Sequence, residues 1–235
     1  EGRRQTLSYF RLLPSDFWLL TSPTNMSLQI LTLPLGPIQT NCFLVGDDET
    51  KAAVAIDPGW DAKRVLDVLA QHQWQLKYVL LTHAHFDHIG GVADLVQATK
   101  APLAIHPLDL PLLRHDGGAR EWGMHIRACP EPDLQLKPGQ IIEAGPMRFE
   151  VLFVPGHTPG HVAFHEPQAN AVFSGDVLFQ QSIGRTDLPG GDYDTLIRSI
   201  REVLFALPDD TAVYSGHGPA TTIGDEKKYN PFVAE

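Results

Sequence analysis

The most constraining stretch of this chain is Leu80-Leu81-Thr82-His83-Ala84-His85-Phe86-Asp87-His88-Ile89-Gly90-Gly91. The apolar run Tyr78–Leu81 reads as a buried strand, and a helical pattern over Gly90–Thr99 starts at the Gly-Gly pair. Between them, three histidines and an aspartate crowd into six positions. Packing has no use for four such residues at the end of a buried strand. Neutral imidazole is the commonest transition-metal ligand, and a carboxylate adds charge compensation. His83 and His85 are two apart, so in extended chain they project to one side. Asp87 and His88 are adjacent, so their side chains diverge and can serve a different ion. The fold must therefore end a strand at a site built for metal.

Three later segments repeat this arrangement. His157 follows a strand in Val154-Pro155-Gly156-His157-Thr158-Pro159-Gly160-His161, on a turn constrained by glycine and proline. Asp176 ends the strand pattern Val172-Phe173-Ser174-Gly175-Asp176, and His217 sits in Tyr214-Ser215-Gly216-His217-Gly218-Pro219. Each lies just past the C-terminal end of a strand, where α/β folds gather their sites. A neighbouring glycine lets the backbone approach closely. The candidates are His83, His85, Asp87, His88, His157, Asp176 and His217. Seven ligands exceed what one tetrahedral ion takes. They suit two ions: His83, His85 and His157 for the first, Asp87, His88 and His217 for the second, with Asp176 bridging. Ions in such sites lie about 3.5–4 Å apart with a water or hydroxide between them. His72, His106, His115 and His125 are expected on surfaces or loops, and His165 at a strand end has no assigned role. His161 is expected to support the turn carrying His157.

Elsewhere strands alternate with helices, without repeats. Leu28–Pro34, Asn41–Val45 and Ala52–Ile56 read as strands, the last closed by Asp57-Pro58-Gly59. Asp61 is the expected N-cap of a helix carrying Val65, Leu66, Val68 and Leu69 on one face. Pro102–Ile105 is a short strand, and residues 106–133 are expected to form a short helix and an irregular loop. Ile141–Glu143, Met147–Val154, His161–Phe164 and Ala171–Ser174 form a run of strands. Asp192–Leu207 is the strongest helix, with an apolar stripe of Leu196, Ile200, Val203, Leu204 and Leu207, and Ala212–Tyr214 is a last strand. Two sheets packed face to face with helices outside would satisfy this order, an α/β layered fold.

Composition narrows the partners. The 235 residues are 43% apolar and 20% charged, ordinary globular usage. The net charge of −10, with no basic run, argues against nucleic acid and anionic membrane surfaces as partners. No window approaches 18 uninterrupted apolar residues. Cys42 and Cys129 read as free core thiols in a reducing, cytoplasmic setting. Because Met26-Ser27 opens a clean strand pattern, residues 1–25 read as an N-terminal extension of unknown role, native or added, or alternatively as an extra element packed on the domain; Arg11, Pro14, Ser15 and Asp16 interrupt any signal-peptide core. A single domain is expected over residues 26–235. Nothing here fixes an oligomeric state.

The ordered set HxHxDH at His83–His88, GH at His157, GD at Asp176 and GH at His217 resembles the metallo-β-lactamase superfamily, from Met26 to the C-terminus. That resemblance implies a four-layer αββα sandwich with the site at one edge of the two sheets. It also implies that Asp57 lies close behind the metals; its local alternative is a turn former. Within the superfamily the chain is most similar to the short bacterial glyoxalase II-like (hydroxyacylglutathione hydrolase-like) thioesterases. The residues carrying this are Gly175-Asp176-Val177-Leu178-Phe179, Gly184-Arg185-Thr186-Asp187, Gly216-His217-Gly218-Pro219 and Asn230-Pro231-Phe232. The likeness implies hydrolysis of glutathione thioesters such as S-D-lactoylglutathione, with Arg185 binding the glutathione part. Its local alternative is a surface arginine or a pair with Asp187 or Asp192. With 18 residues after His217, the C-terminal helical extension of the longer members is not expected, and Asp187 stands where those members have a tyrosine.

The expected reaction is attack by a metal-bridging hydroxide on a polarised thioester carbonyl. Asp87 and Asp176 are its catalytic carboxylates: Asp176 bridges and accepts a proton afterwards, while Asp87 is a ligand rather than a free base. Two divalent ions are expected, zinc first, with iron or manganese fitting the same ligands. Neither cysteine falls in a motif, which argues against the cysteine-ligating β-lactamases. Two alternatives stand beside this reading. One is a mononuclear iron persulfide dioxygenase using His83, His157 and Asp176. The other is a lactone, β-lactam or phosphoester hydrolase of the same superfamily.

Overall fold

Alternation within the strands decides the architecture. In Cys42–Val45, Phe43 and Val45 enter one apolar cluster while Cys42 and Leu44 enter another. Val54 and Ile56 are likewise divided from Ala53 and Ala55, and Phe164 and Phe173 from Ala163 and Val172. Strands with two apolar faces must be covered on both. Each of two sheets is therefore packed against the other on one side and against helices on the other side.

The computed structural model describes residues 19–20 and 28–234. The first sheet contains β1 (Leu19–Leu20), β2 (Leu28–Leu35), β3 (Thr40–Asp47), β4 (Ala52–Ile56), β5 (Gln75–Leu80), β6 (Leu103–Ile105) and β7 (Leu134–Gln135), in that spatial order. It is antiparallel from β1 to β4 and parallel from β4 to β7. The second sheet contains β8 (Ile141–Ala144), β9 (Met147–Phe153), β10 (Val162–Glu166) and β11 (Ala171–Gly175). A separate hairpin, β12 (Leu178–Phe179) and β13 (Ser182–Ile183), comes next. The second sheet then resumes with β14 (Ala212–Ser215) and β15 (Thr221–Thr222), in the order β15-β14-β11-β10-β9-β8.

Phe149, Phe164 and Phe173 fill the space between the sheets, each fully buried, and each contributes about 1.5–3 kcal/mol by leaving water. On the outer face of the first sheet lie α1 (Ala62–His72) and α3 (Val92–Thr99), through Val65, Val68, Leu69, Val92 and Leu95. Between them in sequence lies α2 (Phe86–Ile89). A short α4 (Leu110–Arg114) follows β6. The second sheet is covered by α5 (Tyr193–Arg198) and its continuation through Leu196, Ile200 and Leu204, and α6 (Ile223–Tyr229) closes the chain. This is the αββα sandwich expected from the sequence.

Several expectations are adjusted. The helix expected over Asp192–Leu207 starts as α5, opens into a wide π turn at Ser199–Val203 and ends in a 3₁₀ turn at Leu204–Ala206. Within that turn the Ser199 hydroxyl donates to the Pro155 carbonyl (2.6 Å), tying the helix to the loop that carries His157. Asp61 caps α1 as expected, its carboxylate accepting from the Arg64 amide. The Gly90–Thr99 helix begins at Val92, with α2 before it. His106 is buried rather than exposed: its Nδ1 accepts from the Leu108 amide (3.4 Å), and its ring packs on Phe153. Most of the N-terminal extension and its Met26 boundary lie outside the described residues; Leu19 and Leu20 pair antiparallel with Leu31 and Ile30. No helix among the described residues is long and apolar enough to cross a membrane.

Candidate metal centre

Five strand ends deliver the site. Asp57 follows β4, and the Thr82–His88 segment follows β5, its parallel neighbour. His157 lies on the turn between β9 and β10, Asp176 follows β11, and His217 follows β14, which runs parallel to β11. Parallel neighbours end at the same edge, so the C-terminal ends of both sheets converge there.

All seven predicted ligands meet at this edge. The ligand atoms of His83, His85 and His157 lie within 4.8 Å of one another, as do those of Asp87, His88 and His217. In the first group His85 Nδ1 is 2.9 Å from His157 Nε2. In the second, Asp87 Oδ2 is 3.2 Å from His217 Nε2 and 3.3 Å from His88 Nε2. Asp176 faces both groups. Its Oδ2 is 3.7 Å from His157 Nε2 and 3.6 Å from His217 Nε2, and its Oδ1 is 3.3 Å from His88 Nε2.

Hydrogen bonds decide which ring nitrogens face inward. His157 Nδ1 contacts the Arg185 carbonyl (2.7 Å), which can only accept, so Nδ1 carries the proton and Nε2 presents a lone pair to the site. His88 Nδ1 contacts Asp57 Oδ2 (2.9 Å), which imposes the same tautomer there. Asp57 also accepts from the Thr82 amide (2.8 Å) and hydroxyl (2.6 Å). Asp57, His83 and His88 form a third close group, but the Asp57 oxygens are committed to Thr82 and His88. Asp57 therefore orients a neighbour.

Protonation tendencies divide along the same line. Burial, then the surrounding imidazoles, holds His83 well below the ordinary histidine range. Burial and His157 lower His85 to about 3. Burial also lowers His157, against the opposing Asp176 charge. This group presents neutral lone pairs at neutral pH. In the other group burial is outweighed: Asp87, Asp176 and Asp57 raise His88, and a hydrogen bond to Asp87 with the Asp176 charge raises His217. Asp87 is driven to about 2 against its burial, by the His88 charge and hydrogen bonds from His217 and Thr40. Asp176 is also lowered against its burial, chiefly by His88.

The donor set fits metal ions. His83 Nε2, His88 Nε2 and Asp176 Oδ1 are buried side-chain atoms without a hydrogen-bond partner, and all three face this cluster. Orphaned polar atoms are costly in a protein interior, and converging ones mark a place for a cation. The nitrogen and carboxylate ligands suit zinc, iron or manganese. Cys42 is buried in the core and Cys129 half-buried, and neither belongs to these groups.

A cavity of about 480 Å³ opens onto the ligands. Its other lining is Ile38, Phe86, Trp122, Phe179, Ile183 and Leu188, with Arg185 at the rim. Arg185 does not reach into the cavity unpaired: its Nε and Nη2 donate to the two Asp187 oxygens, both at 2.7 Å. Its guanidinium lies 5.7 Å from the Trp122 ring centre. A second cavity, about 390 Å³, lies beside the first and shares His85, Trp122 and Leu188 with it. The tail residue Asn230 is buried and donates to the Ser182 carbonyl (3.0 Å) and Glu226 Oε2 (2.8 Å), latching the β12–β13 hairpin that supplies Phe179 and Ile183.

His161 supports the turn as expected, its carbonyl accepting from the Val154 amide (3.0 Å) and its amide donating to the Thr158 carbonyl (3.5 Å). It also braces the ligands: its Nε2 accepts from the Asp176 amide (3.1 Å) and its ring stacks on His83. Sequence reading passed over three further residues. The Thr40 hydroxyl donates to Asp87 Oδ2 (2.8 Å). Asn41 donates through its side chain to the Ser215 and Gly218 carbonyls (2.9 Å each) and through its amide to Gly216 (2.7 Å), clamping the His217 loop. Asp109 is fully buried and bonded to two ligand loops. None carries a sequence signal, because each acts on partners far away along the chain.

Fold and site together define the class, and sequence comparison agrees. Residues 35–217 match the family described as the metallo-beta-lactamase superfamily. The chain belongs to that superfamily. It is 42% identical to hydroxyacylglutathione hydrolase GloC of Haemophilus influenzae over 209 residues, which is 88% of this chain and 98% of that protein. Among solved structures it is similar to TTHA1623 in a di-iron-bound form, with 46% identity, a TM-score of 0.79, and coverage of 86% of this chain and 99% of that one. The BLEG-1 B3 metallo-beta-lactamase shares 42% identity and a TM-score of 0.80, covering 87% of this chain and 99% of that one.

Proposed function

We propose that this chain is a metal-dependent hydrolase with two divalent ions, acting on glutathione thioesters such as S-D-lactoylglutathione. The observation that carries the two-ion reading is the position of Asp176, whose carboxylate faces His157, His217 and His88 at 3.3–3.7 Å. The likeness to a hydroxyacylglutathione hydrolase and to a di-iron protein supports the substrate and the metal count. Zinc or iron suits the ligands equally, so the metal follows availability.

When bound, the ions would supply a water that ionises near pH 7 and positive charge for the developing oxyanion. His83, His85 and His157 would hold one ion, and Asp87, His88 and His217 the other, with Asp176 between them. The oxygen of the ionised water adds to the thioester carbonyl carbon and the C–S bond breaks, giving a carboxylic acid and a thiolate; Asp176 accepts the acid's proton, leaving a carboxylate. A thiol of pKa about 8.5 leaves as thiolate without strong acid assistance. The cavity fits that requirement: apart from the ligands, Arg185 is its one ionisable lining residue among those described. Arg185 would recognise a glutathione carboxylate by exchanging it for Asp187. The partner is thus a small molecule, neither nucleic acid nor membrane, in a reducing cytoplasm.

The deciding experiment combines kinetics on S-D-lactoylglutathione with metal analysis of the same preparation, beside Asp176→Ala. Hydrolysis with two ions per chain, lost in the variant, is the expected result. One iron per chain with oxygen consumption on glutathione persulfide would replace this reading with a dioxygenase. Turnover confined to β-lactams or lactones would keep the hydrolase and remove the thioester.

A further inference from the structure

Asp109 is a buried carboxylate with no part in the chemistry above. It closes a short 3₁₀ turn, Pro107–Asp109, between β6 and α4, and its side chain is inaccessible to solvent. Its Oδ2 accepts from the Ala84 amide (3.0 Å) and the Thr158 hydroxyl (2.9 Å), and its Oδ1 accepts from the Gly160 amide (2.7 Å). Ala84 stands between His83 and His85, and Thr158 follows His157. One carboxylate thus cross-ties a loop of the first sheet to a loop of the second. These are the loops whose imidazoles meet, with His85 Nδ1 and His157 Nε2 2.9 Å apart. Any Cβ at position 160 would run into the Asp109 amide and carboxylate, so glycine there permits the approach.

The other ligand group is held by other residues, one of which, Asp57, also reaches the three-histidine group through Thr82, whose hydroxyl lies 3.0 Å from His83 Nδ1. Asp57 orients His88, Thr40 donates to Asp87, and Asn41 clamps the loop of His217. None of these four bonds involves Asp109.

We propose that Asp109 is the positioning residue for the three-histidine group, setting the separation of His85 and His157 and hence the affinity for the ion held there. An amide at this position presents an N–H₂ where three donors converge, so at least one donor loses its acceptor and the two loops are no longer tied at a common point. The effect falls on one metal site and spares its neighbour. This rests on the ligand assignment of the proposed function.

The test is a competitive zinc titration of chelator-stripped protein against a chromophoric chelator, run on the wild type, Asp109→Asn, Thr158→Val and Asp57→Asn, with melting temperatures recorded. Thr158→Val removes one of the three bonds and keeps the carboxylate, so it serves if Asp109→Asn does not fold. In Asp109→Asn one binding step should weaken about tenfold or more while the other holds. Thr158→Val should weaken the same step by less. Asp57 contacts His88 directly and His83 only through Thr82, so Asp57→Asn should weaken the other step more than this one. Unchanged affinities in a folded Asp109→Asn, or in Thr158→Val if that is the variant that folds, would overturn the assignment. So would equal weakening of both steps with a falling melting temperature, which marks a merely structural role. If wild-type protein binds a single ion, the two-ion reading fails; Asp109 then stands only if its substitution weakens that ion.

Discussion

The Asp57 carboxylate lies 2.9 Å from Nδ1 of His88, and this contact determines which nitrogen of that imidazole faces the metal site. Asp57 itself has a left-handed backbone (φ 48°), a conformation that Asp and Asn tolerate better than other side chains. Its turn-forming and orienting roles thus coincide in one residue. Asp57→Asn keeps the shape and the turn but weakens the hold on His88. Metal affinity on the His88 side should fall by about 10–100-fold, measured by chelator competition. Full retention of affinity would show that His88 needs no orienting partner.

Gly216 presses against the centre. A Cβ there would overlap the Asp176 carboxylate and the edge of the His88 ring. Its φ is not positive, so Gly216→Ala tests space rather than backbone strain. Activity should fall about 10²-fold, the scale of an ångström-sized displacement at a reacting centre. Metal content and melting temperature of the same preparation would separate a displaced ligand from a collapsed fold.

Arg185 and Asp187 form a bidentate pair at the cavity rim. The hydrogen bond from Arg185 lowers the Asp187 carboxyl to about 2. Because the folded value lies below the unfolded one, the pair's contribution is present above about pH 4 and is lost as pH falls toward 2. Binding that depends on Arg185 should therefore be flat between pH 5 and 8. Arg185→Ala should raise KM for a glutathione thioester about tenfold with kcat within about twofold. Asp187→Ala releases the guanidinium and should lower KM about twofold. Steady-state kinetics of the two variants across pH 5–8 checks all three statements.

Both thiols are protected by burial. Burial and then the Asp57 charge raise Cys42, and burial with Asp116 pushes Cys129 up to about 12. The sign is that of an acid disfavoured in its charged form, so little thiolate exists at pH 8. Iodoacetamide at that pH should label Cys129 about 10³-fold more slowly in native than in denatured protein, as read by mass spectrometry. Rapid native labelling would show that the local structure opens.

The site was legible because its signal is local. Seven ligand-type residues stand just past strand ends, three of them beside glycines, and spacing separated His83 and His85 from Asp87 and His88, which the structure places in different groups. The layers were legible because Phe43, Val54, Phe164 and Phe173 alternate with neighbours that are apolar too, which requires covers on both faces. The two-residue strands β1, β7, β12, β13 and β15 were not legible, since two residues have no period. Nor was the π turn at Ser199–Val203, which accompanies a hydrogen bond to Pro155, 44 residues away.

What the residues determined by themselves was the kind of chemistry: imidazoles and carboxylates clustered at strand ends are metal-ligand types. Only the tertiary structure decided how they are aimed. Thr40, Asn41 and Asp109 act on loops that lie 25 to 177 residues away in sequence, and Arg185 proved to be engaged by Asp187. The reason is physical. A ligand's identity is a property of one side chain, whereas its orientation is set by hydrogen bonds that exist only once two sheets have packed and their edges have met.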